Sequence, residues 1–183
     1  LLDATLESLV EHGYANVTAA QIAAQAGVTR GAQAHYFATK AELVTAALEY
    51  AADQITERFR TDPPHCDSEP KSVMALVDRL WDLHDSPTFV AVVELWLASR
   101  TDAELRPHVI ALNKRMTAAI TEILTAAAPE LMSHSEAPAV MLTALAAMRG
   151  VLMTSFVSSQ RSVEALWATT RGQVEKLITA AEH

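Results

Sequence analysis

Apolar residues recur along this chain at intervals of three and four, and no strand-length run alternates apolar with polar positions. Met141, Leu145, Met148, Leu152 and Phe156 show the spacing, which lays a stripe along one side of a helix. Polar signals punctuate the pattern. Thr18-x-x-Gln21, Thr39-x-x-Glu42, Thr101-x-x-Glu104 and Ser133-x-x-Glu136 have the form of capping boxes. In such a box a hydroxyl accepts the third helical N–H, and the Gln or Glu side chain returns to the cap's own N–H. Ser86-Pro87 sets proline at a first helical position, where its missing N–H does no harm. Gly13 and Gly27 each follow a helical run and suit a left-handed C-terminal cap.

These signals predict an all-α chain of about nine helices, over 1–12, 18–25, 29–36, 40–60, 70–84, 87–99, 102–128, 136–158 and 162–181. Short helices with tight turns give way to long ones near residue 45, so the expected domains are 1–45 and 46–183. The composition, half hydrophobic and one-fifth charged with only 5 Gly and 7 Pro, is that of a globular protein with a proper core. The single cysteine, Cys66 in DPPHCDSEP, excludes an intrachain disulfide and points to a reducing, cytoplasmic setting. Residues 137–160 carry one charge, Arg149, and by length would pass for a membrane span. A charge at mid-bilayer is costly, and the Ala, Ser and Thr content suits close helix packing, so a buried helix and no membrane are expected. The chain starts at Leu1 already in amphipathic register, so the natural N-terminus is expected to lie upstream.

Charge changes the picture. The formal net charge is −8, yet from His12 to Ala41 there is not one Asp or Glu. Within that stretch, helix 18–25, the break Ala26-Gly27-Val28 and helix 29–36 have the dimensions of a helix-turn-helix. Ile22 and Val28 are expected to face inward, Ala23 to sit where the helices cross, and Gly27 to supply the positive φ of the turn. The second helix carries Thr29, Arg30, Gln33, His35 and Tyr36, side chains that can hydrogen-bond to base edges, and no carboxylate that phosphates would repel. Thr18 and Thr39 start helices whose N-termini suit phosphate, and Lys40 adds a mobile positive charge.

Beyond a bare helix-turn-helix, the run GYANVTAAQIAAQAGVTRGAQAHYFATKAELV resembles the N-terminal domain of the tetracycline-repressor (TetR) family. The residues that carry the likeness are Gly13, Tyr14, Thr18, Ile22-Ala23, Ala26-Gly27-Val28, Gly31, Tyr36-Phe37, Lys40 and Leu43. The resemblance implies a helical ligand-binding and dimerisation domain after the DNA-binding one. It implies a homodimeric transcription factor, usually a repressor, released from an inverted-repeat operator on double-stranded DNA by a small-molecule effector. Carried over, Thr18, Arg30, Gln33, His35, Tyr36, Thr39 and Lys40 become DNA contacts, with Arg30 and Gln33 the expected base readers. Ala34 departs from the Tyr common in the family at that position, while Tyr14 and Phe37 are expected to pack the small domain's core.

In the larger domain the last two predicted helices are the dimer candidates. The first combines Met141, Leu145, Met148, Leu152 and Phe156 with the small residues Ala144, Gly150 and Ser155. The second offers Val163, Leu166, Trp167, Val174, Leu177 and Ile178. Trp81, His84, Phe89, Trp96, Met116 and Met148 are candidate ligand contacts, since aromatics and methionines line adaptable apolar cavities. Asp82 and Asp85 beside His84 fit a solvated helix end equally well. Asp78, Asp82 and Asp85 beside Arg79 read as a solvated stripe. The sequence holds no nucleophile elbow, Gly-rich phosphate loop or Glu-x-x-His pair, so no catalytic residue, metal or cofactor is assigned.

Overall fold

Ten helices and no strand make up the described residues, 1–61 and 70–181, of the computed structural model. They are α1 (Leu2–Asn16), α2 (Ala19–Gln25), α3 (Arg30–Tyr36), α4 (Lys40–Thr61), α5 (Pro70–His84), α6 (Pro87–Ala98), α7 (Leu105–Ala127), α8 (Pro129–Ser133), α9 (Ala137–Ser155) and α10 (Gln160–Ala181). Cys66 and most of the proline-rich stretch around it lie outside the described residues. The short α8 is the helix the sequence pattern does not resolve, because its single turn is too brief to show a period.

Caps account for most of the boundaries. The Thr18 hydroxyl accepts Gln21 N–H at 3.3 Å and the Gln21 side chain returns to Thr18 N–H at 3.0 Å. Thr39 and Glu42 form the same reciprocal pair at the start of α4. Ser86 caps α6 through Phe89 N–H, with Pro87 at its first position. Two expected boxes do not form. Asp102, not Thr101, caps α7, accepting N–H bonds from Glu104 and Leu105, because its carboxylate is the stronger acceptor and sits one residue nearer the helix. Ser133 donates its hydroxyl back to Glu130 C=O, and α9 starts after Glu136 with no side-chain cap.

The described fold consists of two compact units interleaved in sequence, Leu1–Thr61 with Ser86–Thr121, and Asp62–Asp85 with Glu122–His183. In the first unit α1 packs on α4 and α6, and α2 packs on α3 and α1. Its core gathers Leu9, Val44, Leu48, Val92, Leu95 and Leu112, with a smaller cluster of Val17, Ile22 and Leu43 beneath the helix-turn-helix. Tyr14 packs against the larger cluster and Phe37 against the smaller, as their apolar rings require. The second unit is built on the α9–α10 pair with α5 and α8 against it. Here the side chain of Asp78 on α5 stays partly solvated while both its oxygens accept from Arg171 of α10, at 2.6 and 2.8 Å.

Among the described residues one helix, Ala137–Ser155, is long and apolar enough to cross a membrane. Its Ala137, Ala144, Leu145, Met148, Val151 and Leu152 are buried within the second unit.

Candidate nucleic-acid interface and ligand slot

The turn between α2 and α3 follows from its glycine. Gly27 has φ +66°, Val28 N–H donates to Ala23 C=O at 3.0 Å and Gly27 N–H to Ala24 C=O at 3.2 Å. These two bonds are the Schellman arrangement, which satisfies the last carbonyls of α2 and turns the chain sharply into α3. Thr29 then caps α3 by accepting Ala32 N–H at 3.1 Å. Ile22 and Ala23 are buried under the turn as expected, but Val28 is 37% exposed. The turn carries its side chain past the edge of the small core. On α1, Ser8 donates to the Gln25 side-chain oxygen at 2.6 Å, and the Gln25 amide donates to Glu7, tying α2 back to α1.

α3 presents Thr29, Arg30, Ala34, His35 and Tyr36 to solvent. Tyr36 is 76% exposed, with the His35 ring edge-on to it at 5.2 Å. Gln33 is placed otherwise than its expected base-reading role needs. It is only 4% exposed, and its amide donates to Phe37 C=O at 2.9 Å, closing the C-terminus of α3. A side chain so committed has no free amide to offer a base.

Lys40 also differs from the expectation of a mobile charge. Its ammonium donates to Tyr14 C=O and lies 4.2 Å from the centroid of the Tyr14 ring. Burial lowers its pKa, with Asp102 opposing that shift, while burial and then Asp102 and Glu104 raise that of the Tyr14 phenol. Tyr14 is itself held from α6, its N–H donating to Glu94 Oε2 at 2.9 Å. The two helix starts differ in charge. At α4 the Glu42 carboxylate takes the N–H groups of Ala38 and Thr39, whereas at α2 the neutral Gln21 occupies the equivalent place. The Thr18 end therefore lacks the local anion that would oppose a phosphate.

Family comparison fits this geometry. The family model of bacterial regulatory proteins, tetR family, matches residues 1–47, the segment that holds α1 to α3 and the start of α4. The chain's N-terminal segment thus matches the DNA-binding domain of the tetR family. The chain is 36% identical over 106 residues to the HTH-type transcriptional regulator CymR of Pseudomonas putida, an alignment covering 58% of this chain and 52% of that protein. Along that alignment the chain thus spans about half the length of its relative. Over 185 residues it is 27% identical to the HTH-type transcriptional regulator BetI of Stenotrophomonas maltophilia, covering 99% of this chain and 92% of BetI. In fold it is similar to the transcriptional regulator FadR from Bacillus subtilis in complex with stearoyl-CoA, with a TM-score of 0.68 at 20% identity, covering 100% of this chain and 97% of that one.

A narrow apolar slot opens within the second unit. Its cavity volume is only about 50 Å³. On α5 it is lined by Val73, Leu76, Val77 and Leu80, and on α9 by a stripe from Ala137 through Met141 and Leu145 to Met148. Leu124, Leu131, Met132, Val174 and Ile178 complete its walls. Of the six candidate ligand contacts, Met148 alone lines this slot. Trp81 is stacked on Trp167 of α10, ring centroids 4.4 Å apart, and serves packing there. In the first unit Phe89 meets Trp96 edge-to-face at 5.6 Å, and Met116 packs against the larger core.

His84 closes α5 and is 1% exposed, which removes the solvated-end reading suggested by its acidic neighbours. Its Nδ1 lies 2.7 Å from Leu80 C=O. Burial pushes the imidazole down to about 4, the Leu80 bond opposing and the charge of Arg149 adding to the shift. Sequence reasoning missed the slot because its lining is ordinary aliphatic residues with no chemistry of their own. The period of α9 marked the stripe, but not which neighbours would leave a gap beside it.

Proposed function

We propose that this chain is a ligand-responsive transcriptional regulator, not a catalyst, acting in the cytoplasm as a homodimeric repressor on an inverted-repeat DNA operator. One observation carries the reading: α3 offers Arg30, His35 and Tyr36 to solvent from a stretch without a carboxylate, on a turn built by Gly27. Arg30 is the proposed base reader, and Thr18, Thr29, Thr39 and Lys40 the residues nearest the phosphates. Lys40 does so as a fixed charge. Gln33 is assigned to holding α3 in shape. Functionally, residues 1–45 read DNA and 46–183 bind effector and partner copy.

The dimer face lies on α9 and α10, and only part of the expected set is available to it. Leu145, Met148, Leu152, Val163, Val174 and Ile178 are buried in the second unit's own core, so they have no surface to offer a partner. Phe156, Leu166 and Leu177 of the expected set stay exposed, together with Leu142 and Met153 of α9 and Val157 just after it. With the small residues Ala146 and Gly150 in the same register, they form an apolar face suited to a two-fold helical interface. The effector occupies the slot in the second unit, and its differential affinity for two states of the dimer releases DNA. Taking the ratio of those states from 1:99 to 99:1 requires about 5.5 kcal/mol.

The test is selection of binding sites from a random duplex library by the full chain, with affinity followed against salt. Enrichment of an inverted repeat, lost in Arg30→Ala but retained in Gln33→Met, supports the reading. Weak binding with no enriched sequence, vanishing at moderate salt, overturns it.

A further inference from the structure

Tyr14 links α6 to the start of α4, and both of its backbone polar groups are held by side chains. Its N–H donates to Glu94 Oε2 at 2.9 Å, 80 positions away along the chain. Its C=O accepts a hydrogen bond from the Lys40 ammonium, and its ring centroid lies 4.2 Å from the same nitrogen. Gly13 leaves room for the carboxylate, since a Cβ there would stand 2.8 Å from Glu94 Oε2. The Tyr14 side chain also packs against the cluster that holds Leu95 and Leu105, so the residue is fixed on a third side. We infer that Glu94 is a positioning residue for DNA binding, which sets the place of the Lys40 charge through Tyr14 without touching DNA itself. This rests on the reading of Lys40 as a phosphate contact.

An ammonium carries three N–H donors, and Tyr14 C=O takes one, which leaves donors for a phosphate oxygen. A free lysine loses rotamer freedom when it closes on a phosphate. One already seated has less to lose, so the seat raises affinity without adding a contact. The seat is only as fixed as the Tyr14 carbonyl. That peptide follows a glycine at φ 73°, the residue type with the widest backbone freedom, so the hold has to come from outside the local chain. Glu94 supplies it from α6, whose Ala91, Val92 and Leu95 are buried in the unit's larger core. The sign of the charge separates this role from a plain electrostatic one. A carboxylate repels phosphate, so neutralising Glu94 would by charge alone tighten DNA binding, whereas losing the hold loosens it.

The experiment is binding of the full chain to the duplex enriched by selection, with affinity followed against salt and each variant checked for folding by circular dichroism. Glu94→Asp keeps the charge and shortens the reach to Tyr14 N–H, whereas Glu94→Gln gives up the charge and keeps an acceptor in place. Lys40→Met should weaken binding and lower the salt slope by about one. Glu94→Asp should weaken binding about fivefold, the equivalent of one ordinary hydrogen bond, with Glu94→Gln within about twofold of wild type. Combined with Lys40→Met, Glu94→Asp should change nothing further, because the two act through one contact. Should the shorter carboxylate upset the fold, Glu94→Ala answers the same question, and weakening there cannot come from lost charge. Wild-type affinity in Glu94→Asp or Glu94→Ala, equal weakening by Asp and Gln, or a loss that persists without Lys40 overturns the positioning role and leaves DNA binding intact. A wild type for which selection enriches no duplex overturns the reading of Lys40 and this inference with it.

Discussion

Gly13 is where the helix-turn-helix is held from α6, and replacing it by alanine tests that hold. The residue interrupts α1 with φ 73° and ψ 162°, a region that side chains other than glycine occupy at a cost of about 1–3 kcal/mol. A Cβ there would also lie 2.8 Å from Glu94 Oε2, the oxygen that accepts Tyr14 N–H. The carboxylate can swing away, but only by giving up that bond. A hydrogen bond to a charged acceptor is worth about 1.5–3 kcal/mol, and the half-buried setting of Glu94 puts this one at the low end. Gly13→Ala should therefore cost about 3–4 kcal/mol, a large share of a typical domain's stability. The assay is urea unfolding of the wild type, Gly13→Ala, Glu94→Ala and the double variant. With Glu94 already gone, Gly13→Ala should cost only the backbone strain, so the double variant falls short of additivity by about 1–2 kcal/mol. A single variant within about 0.5 kcal/mol of wild type, or strict additivity, would refute the reasoning.

His84 takes its proton near pH 6.5 when unfolded and only near 4 when folded, so its contribution to stability is complete above 6.5 and is lost as pH falls toward 4. For a shift of that size the loss is about 3 kcal/mol, and urea unfolding between pH 7 and 4.5 should show a slope that His84→Gln flattens. Gln33→Ala should lower stability by about 1–2 kcal/mol through the orphaned Phe37 carbonyl, read by thermal unfolding, whereas Arg30→Ala should leave the melting temperature alone and abolish site-specific DNA binding. Arg171→Met should cost no more than about 1 kcal/mol, because both partners are partly solvated, and the effect should shrink in high salt. Leu142→Glu with Met153→Glu should convert the dimer to monomer in sedimentation, and a monomeric wild type would overturn the assigned face.

The N-terminal segment was legible because its signals are local. Thr18, Gln21, Gly27 and Thr29 each act within four residues, and their capping and turn bonds form as their spacing requires. The same locality fails where two acceptors compete: at α7 the pattern matched Thr101, and the carboxylate of Asp102 took the helix end. Gln33 shows a second limit. Its residue type suits a base edge, but one helical position decides whether the amide faces a groove or the Phe37 carbonyl, and that depends on how α3 seats on the small core. Lys40 likewise meets a partner 26 positions earlier in the chain, a contact no spacing rule reports.

By itself the sequence determined the helical class, most helix ends, the glycine turn and the carboxylate-free stretch, because periodicity, capping and local charge act between near neighbours. Tertiary structure alone decided which side of each helix is spent on its own core. Leu145 and Met148 belong to one apolar stripe with the period of a dimer seam, and packing against α5 and α10 buries them at the slot, leaving Leu142 and Met153 outside. It also decided that α6 and most of α7 join the helices of the helix-turn-helix in one unit. These are long-range outcomes: close packing chooses among faces of nearly equal hydrophobicity, and the choice is made by neighbours far away in the chain.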